Sequence, residues 1–522
     1  MTGTRVVACV EVDPAAGPLG LRERHGEPIL GKPAVRHVLE ALGRCRTVQE
    51  TVLTSVSSAG IDRAWIEGLT VRTLIREFPD IPDRPWLRRA RLWARDSWRG
   101  GLFWTTAFDE EGRPGLMHEA ATSSGADLLV RVPATAVWLD PGRLDRLVEH
   151  HLRISDTFEV AFTKAPPGLA PESYTVGVLA KMARLGRTPR EMFAYRPDDP
   201  VSDPAKKPCA LHLPEAVVRT PLRLLADTRR GRRLAERLAD RGLRPGEARD
   251  EEIASAIGRA PSLEFADGPR AILVEAIREE AGNAPAHLTE DGFARALPWF
   301  GSLDDITVTL GGGGEPMRHP SLPAWVRRAR QAGALGIAVQ SRGEGDDAAW
   351  EALLEAAPDL VEIRIDATDD EEGPSKRARW ILERAPKEKG GPLLVVSREK
   401  RIDREERIEP FVDDWLARGA WPVIRPTAAY AGARSDLSPV RLLPAERHAC
   451  LRLRREICLR ADGRWGVCSM DLAGALPSPP VCAGPEAWQT SPLASLRDTH
   501  LSLAWDRLPR PCQTCLDWDR TG

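Results

Sequence analysis

Apolar positions along this chain switch repeatedly between two spacings. Residues 6–10 (VVACV), 51–56 (TVLTSV), 128–132 (LLVRV) and 158–162 (FEVAF) are short apolar runs of strand length. Between them, 35–42 and 144–152 place apolar residues three and four apart, as on one helix face. Strands alternating with helices predict a parallel sheet covered on both sides. The stretch 57–118 is rich in Trp and Arg and shows no clear period. A basic run over 229–241 predicts a helix, and 244–262 reads as a linker.

A second alternating set begins at residue 306. Strands are predicted at 306–310, 336–340, 360–365, 393–396 and 423–424, with helices near 322–332, 348–357, 376–384 and 408–416. Four or five such units predict a full or partial β/α barrel. After Tyr430 the alternation stops. Residues 457–468 form a predicted hairpin around Asp462-Gly463. The rest is Pro-rich, with too little apolar periodicity to predict a core of its own, so it needs a metal or cluster to fold around.

Composition narrows the class. The chain has 522 residues, 42% hydrophobic and 29% charged, with net charge −2. That balance predicts a multi-domain globular protein with no nucleic-acid partner. Only nine of its 74 basic residues are Lys. No apolar run has membrane-spanning length, and the opening MTGTRVVACVEVD lacks the layout of a signal peptide, so a cytoplasmic protein without a membrane partner is expected.

Nine cysteines in such a chain predict thiols or metal ligands sooner than disulfides, and six of them follow residue 449. Cys512 and Cys515 have the two-residue gap that brings two thiolates to one metal or cluster face. Cys450 and Cys468 flank the hairpin and complete a set of four. Cys458 alternates with strand neighbours as a packed thiol, and Cys482 is a substitute ligand in a Pro-rich loop. His150 and His151 are expected on a solvated helix face, and His319 and His448 as isolated histidines. The run TLGGGGEP lets a backbone approach a partner closely at Gly312, Gly313 and Gly314, with Glu315 as an acceptor. It lacks the Lys-Ser/Thr of a phosphate-binding loop.

These parts resemble known families. Cys450, the hairpin, Cys468, Asp471 and the closing CxxC are similar to a SPASM domain, which implies an auxiliary iron–sulfur cluster. Gly313-Gly314-Glu315-Pro316 resembles the radical S-adenosylmethionine loop that binds the methionine amino group, and 361–366 (VEIRID) resembles that barrel's fourth strand. That family also requires a CxxxCxxC triplet; residues 262–282 (SLEFADGPRAILVEAIREEAG) contain no cysteine or histidine. The N-terminal half is similar to sugar-nucleotide cytidylyltransferases. A strand and loop (6–18) lead to Lys32, which the resemblance places on nucleotide phosphates; Asp140-Pro141 and 224–228 (LLADT), a closing strand with Asp-Thr, match later motifs. Its loop is Asp13-Pro14-Ala15-Ala16-Gly17-Pro18, without the family's Arg and Ser, and Pro133-Ala134 stands where a magnesium carboxylate is expected. The order of parts resembles the spiro-SPASM group.

The expectation is an α/β protein in three parts. A nucleotidyltransferase-like domain (1–245) precedes a radical SAM-like full or partial barrel (262–430) and a SPASM-like module (431–522). Cys450, Cys468, Cys512 and Cys515 would hold a [4Fe–4S] cluster or zinc. Gly312 to Glu315 and Lys32 remain as cofactor-binding positions, with reductive cleavage of S-adenosylmethionine not expected. The role would be binding, scaffolding or electron relay beside a partner enzyme, or toward a peptide or sugar-nucleotide substrate. Cytidylyl transfer, or radical chemistry with atypical cluster ligation, are the alternatives.

Overall fold

The computed structural model describes residues 4–12, 21, 24–57, 60–76, 85–93, 113–188, 192, 207–279, 284–366, 371–385, 391–440 and 443–519. The chain divides into two compact units: Met1–Arg84 with Trp93–Glu264, and Pro85–Leu92 with Phe265–Gly522. The loop 13–18 and part of the Trp-rich stretch, including Trp98 and Trp104, lie outside the described residues.

In the first unit, continuous apolar runs make strands buried on both faces, as a parallel sheet requires. The strands are β1 (Val6–Glu11), β2 (Glu50–Ser55), β3 (Val71–Ile75), β4 (Leu128–Pro133), β5 (Val160–Thr163), β6 (Glu172–Thr175) and β7 (Ala210–Leu211). They form one sheet in the order β3-β2-β1-β4-β6-β5-β7. β1 pairs in parallel with both β2 and β4, while β6 runs antiparallel between β4 and β5. The helices Ala34–Leu42 and Pro141–Ile154 lie where their apolar spacing predicts.

Three sequence expectations fail here. Residues 244–262 are not a linker: Asp250–Gly258 is a helix whose Ile253 and Ile257 are buried, and Arg143 Nε donates to Asp250 at 3.0 Å. Residues 224–228 do not close the sheet. The amides of Leu224 and Ala226 donate to Pro167 and Thr135, outside any ladder, and Thr228 caps the helix Arg229–Ala239. His151 is not solvated. It is fully buried, with Nδ1 2.7 Å from Ser173 Oγ and Nε2 3.1 Å from the Phe158 carbonyl.

The second unit is built on six parallel strands: β8 (Ala271–Glu275), β9 (Thr307–Gly311), β10 (Gly336–Ser341), β11 (Leu360–Arg364), β12 (Leu393–Lys400) and β13 (Trp421–Pro426). The hairpin adds β14 (Glu456–Leu459) and β15 (Trp465–Gly466), giving the order β13-β12-β11-β10-β9-β8-β14-β15. β8 and β13 are not neighbours, so the barrel is partial. β14 instead lies parallel to β8, from Ala271↔Glu456 to Val274↔Leu459.

The C-terminal segment is not coreless. Trp465, Trp488, Leu493, Leu496, Leu508 and Trp518 are buried in the same apolar cluster as Ile272, Val308 and Trp299. The Trp299 and Trp465 rings lie 4.9 Å apart. The sequence spacing hides this because these side chains come from short elements and loops and join an apolar cluster shared with the β/α region.

Candidate functional site

The glycine loop follows β9 and packs on the end of β8. Gly312 has φ +105°, a conformation open to glycine, and the Gly313 amide donates to Glu275 Oε1 at 3.1 Å. A Cβ on Gly314 would stand 2.6 Å from the Ile277 carbonyl oxygen. The close approach predicted for this loop is therefore to the chain's own β8 and the residues after it. Glu275 also accepts the Ala461 amide and pairs with Arg278.

Glu315 is wholly buried, and its carboxylate accepts Met317 N, Ser341 Oγ and Arg342 N at 3.0, 2.8 and 2.6 Å. Burial raises its pKa even against those three donors. These bonds tie the loop to the end of β10. Asp366, the acid after β11, similarly accepts the amide of Glu399.

Lys32 lies in a two-strand turn formed by Pro28–Ile29 and Lys32–Pro33. Its ammonium is half exposed and 2.9 Å from Glu40 on the following helix. Asp140 caps the helix Pro141–Ile154 through Gly142 N and Arg143 N, and Asp227 holds Arg223. At the carboxyl end of β1, partly buried Glu11 pairs with Arg113.

The four sequence-predicted cysteines come together. Cys450, ahead of the short helix Leu451–Arg455, Cys468, after β15, and Cys512 and Cys515, in and after the helix Arg510–Thr514, line one pocket. Cys458 packs apart from it, and Cys482 is exposed. Met470 N donates to Cys468 Sγ at 3.4 Å and Asp517 N to Cys515 Sγ at 3.3 Å. The amides of Leu453 and Arg452, in the helix that Cys450 precedes, pull its pKa down. Such donors favour a thiolate.

Burial nevertheless holds the protein's own thiols protonated. It pushes Cys450 up to about 11 and Cys512 up to about 12, with neighbouring cysteines adding to the rise, and it raises Cys468 and Cys515 too. Among the described residues, no three or more His, Cys, Asp or Glu side chains are drawn together as a metal-holding group. The four sulfurs thus share a pocket wall without converging on a point. In donor type alone, four thiols from three chain segments are the soft kind that an iron–sulfur cluster or zinc takes.

The same pocket contains a residue that sequence reasoning passed over. His500, in the last turn of the helix Leu493–Leu501, is 2% exposed, and neither ring nitrogen has a hydrogen-bond partner. Leaving a buried polar atom unpaired costs about 1–3 kcal/mol. Burial, reinforced by the Arg447 guanidinium, pushes His500 down to about 4, so the ring is neutral. Asp471, also on the pocket, is committed to Arg460, Ala475 N and Leu476 N.

No protein-family model matches the chain, and no curated protein matches it. Among solved structures, it is similar to a cytidylyltransferase from Leptospira borgpetersenii serovar Hardjo-bovis (strain JB197), at 16% identity over 50% of this chain and 97% of that one, TM-score 0.37. It is similar to BtrN in complex with AdoMet and 2-DOIA, at 11% identity over 47% of this chain and 92% of that one, TM-score 0.34. It is also similar to Streptococcus suis SuiB, at 11% identity over 55% of this chain and 84% of that one, TM-score 0.34.

Proposed function

We propose that the protein carries one thiolate-bound centre, a [4Fe–4S] cluster ahead of zinc, and serves as a relay or scaffold rather than as a radical generator. One observation carries this reading: Cys450, Cys468, Cys512 and Cys515, spread over 66 positions, line a single pocket. When bound, an iron–sulfur cluster would supply one-electron chemistry and zinc would supply structure. The chain's part is to give up four thiol protons and orient the sulfurs with the amides of Leu453, Met470 and Asp517. The position that a radical-generating cluster would need is filled differently. The end of β8 offers Glu275 to the glycine loop, and no soft ligand stands in residues 262–282. Anaerobic purification with iron, sulfide and zinc analysis tests the reading. About four irons and four sulfides per chain, lost in Cys512→Ala, are expected; a chain holding neither iron nor zinc would refute it.

Nucleotide transfer by the first unit is the second reading, and the sheet order favours it. Building proceeds from β1 through β2 to β3 on one side, then restarts at β4 on the other. Ligands of open α/β sheets sit outside the carboxyl ends of strands at such a reversal. The end of β1 and Pro133-Ala134 at the end of β4 meet there. Pyrophosphate release from CTP with magnesium and candidate sugars tests this reading.

A further inference from the structure

We propose that His500 donates a hydrogen bond from its neutral ring to a cysteine sulfur of the thiolate centre, without joining the ligand set. This rests on the thiolate reading above. His500 lines the cysteine pocket, is almost wholly buried, and has both nitrogens unpartnered. A neutral imidazole has one N–H to give and one lone pair to accept with, so the pocket contains a donor with no protein acceptor. The other polar side chains there are largely committed: Arg447 gives both Nη atoms to the carbonyls of Cys512 and Gln513, with its Nε alone unpaired, and Asp471 is held by Arg460 and two amides.

The sulfurs supply the missing acceptor. Cys468 and Cys515 each accept a backbone amide, and the amides of Leu453 and Arg452 in the helix Leu451–Arg455 lower the pKa of Cys450, whereas among the described residues no amide acts on Cys512. We therefore assign the His500 N–H to Cys512. Four thiolates already complete a tetrahedral or cubane set, so the ring is not needed as a ligand. Donation to a ligating sulfur disperses its negative charge and favours the reduced centre, which makes His500 a positioning residue for potential rather than for occupancy.

The full chain, reconstituted anaerobically with iron and sulfide, tests this as wild type, His500→Phe, His500→Gln and Cys512→Ala. Phe preserves the aromatic contact with Trp505, at 6.0 Å between rings, and Gln restores a donor. His500→Phe should keep the wild-type iron and sulfide content while its potential falls by roughly a tenfold shift in the redox equilibrium, about 59 mV for one electron. His500→Gln should recover a substantial part of that shift. If the centre proves to be zinc, His500→Phe should lose it to a chelator roughly 10-fold more readily. Iron loss in His500→Phe equal to that in Cys512→Ala would make His500 a ligand and overturn the proposal. So would an unchanged potential, or unchanged chelator competition. A wild-type chain that takes up neither metal would remove the thiolate reading and this proposal together.

Discussion

The carboxylate of Glu275, at the end of β8, accepts the amide of Gly313 at 3.1 Å. An acid that closes on the glycine loop occupies the Gly313 amide and places negative charge there. S-adenosylmethionine should therefore not be cleaved: after reconstitution and dithionite, 5′-deoxyadenosine should stay at reagent background. Glu275→Ala should not raise it, because removing the acid supplies no thiolate.

The same packing predicts a stability pattern. Gly314→Ala would push a Cβ to 2.6 Å from the Ile277 carbonyl oxygen, a backbone atom with little room to yield. Thermal or denaturant unfolding should show a loss of about 1–3 kcal/mol. Gly177→Ala, in the helix Val176–Leu185 with nothing within 4 Å, should be neutral or stabilising by up to about 1 kcal/mol.

Cys512→Ala and Cys515→Ala should abolish most metal content, yet leave the far-ultraviolet circular dichroism near wild type. The C-terminal segment shares the apolar cluster of the β/α region. Its fold consequently does not rest on metal alone. Wholesale unfolding of these variants would show that the buried tryptophans are insufficient.

Lys32→Ala should change stability by less than about 1 kcal/mol, since its partner Glu40 is reached across a half-exposed pair. With Pro133-Ala134 where a metal carboxylate is wanted, pyrophosphate release from CTP should be slow or absent. Brisk release that falls with Lys32→Ala would establish the nucleotide reading for the first unit.

His151 predicts a pH dependence. Burial pushes it down to about 4, so between about pH 6.5 and 4 the unfolded chain binds a proton that the folded chain refuses. Stability should be complete above pH 6.5 and fall by about 3 kcal/mol as pH drops through that window. His151→Gln should flatten this part of the profile, as read by urea titrations at several pH values.

The alternating strands and helices were legible because each buries its own apolar stripe, and periodicity is then a local record of burial. The cysteine set was legible through the CxxC gap and the hairpin. What stayed hidden was non-local. The helix Asp250–Gly258 presents few apolar positions, and its buried Asp250 makes sense only beside Arg143, 107 residues away in sequence. Trp488 and Trp518 follow no period because their partners are distant in sequence: Trp488 Nε1 donates to the Phe265 carbonyl, and the Trp518 ring lies edge-on to His448 at 4.6 Å. His500 gave no signal, since a single histidine on a helix resembles any other until it is found lining the cysteine pocket with both nitrogens unpaired.

The pairing of β8 with β14 sets a clock for biosynthesis. Glu275 waits for the amide of Ala461, 186 residues further along the chain. At roughly 5–20 residues per second, translation leaves the β8 edge without its neighbour for roughly ten to forty seconds. During that interval the nascent chain presents an open strand to any other strand nearby. A ribosome that stalls after β13 would release a sheet primed to pair with the wrong molecule, so the yield of native protein should depend on elongation speed between codons 430 and 460.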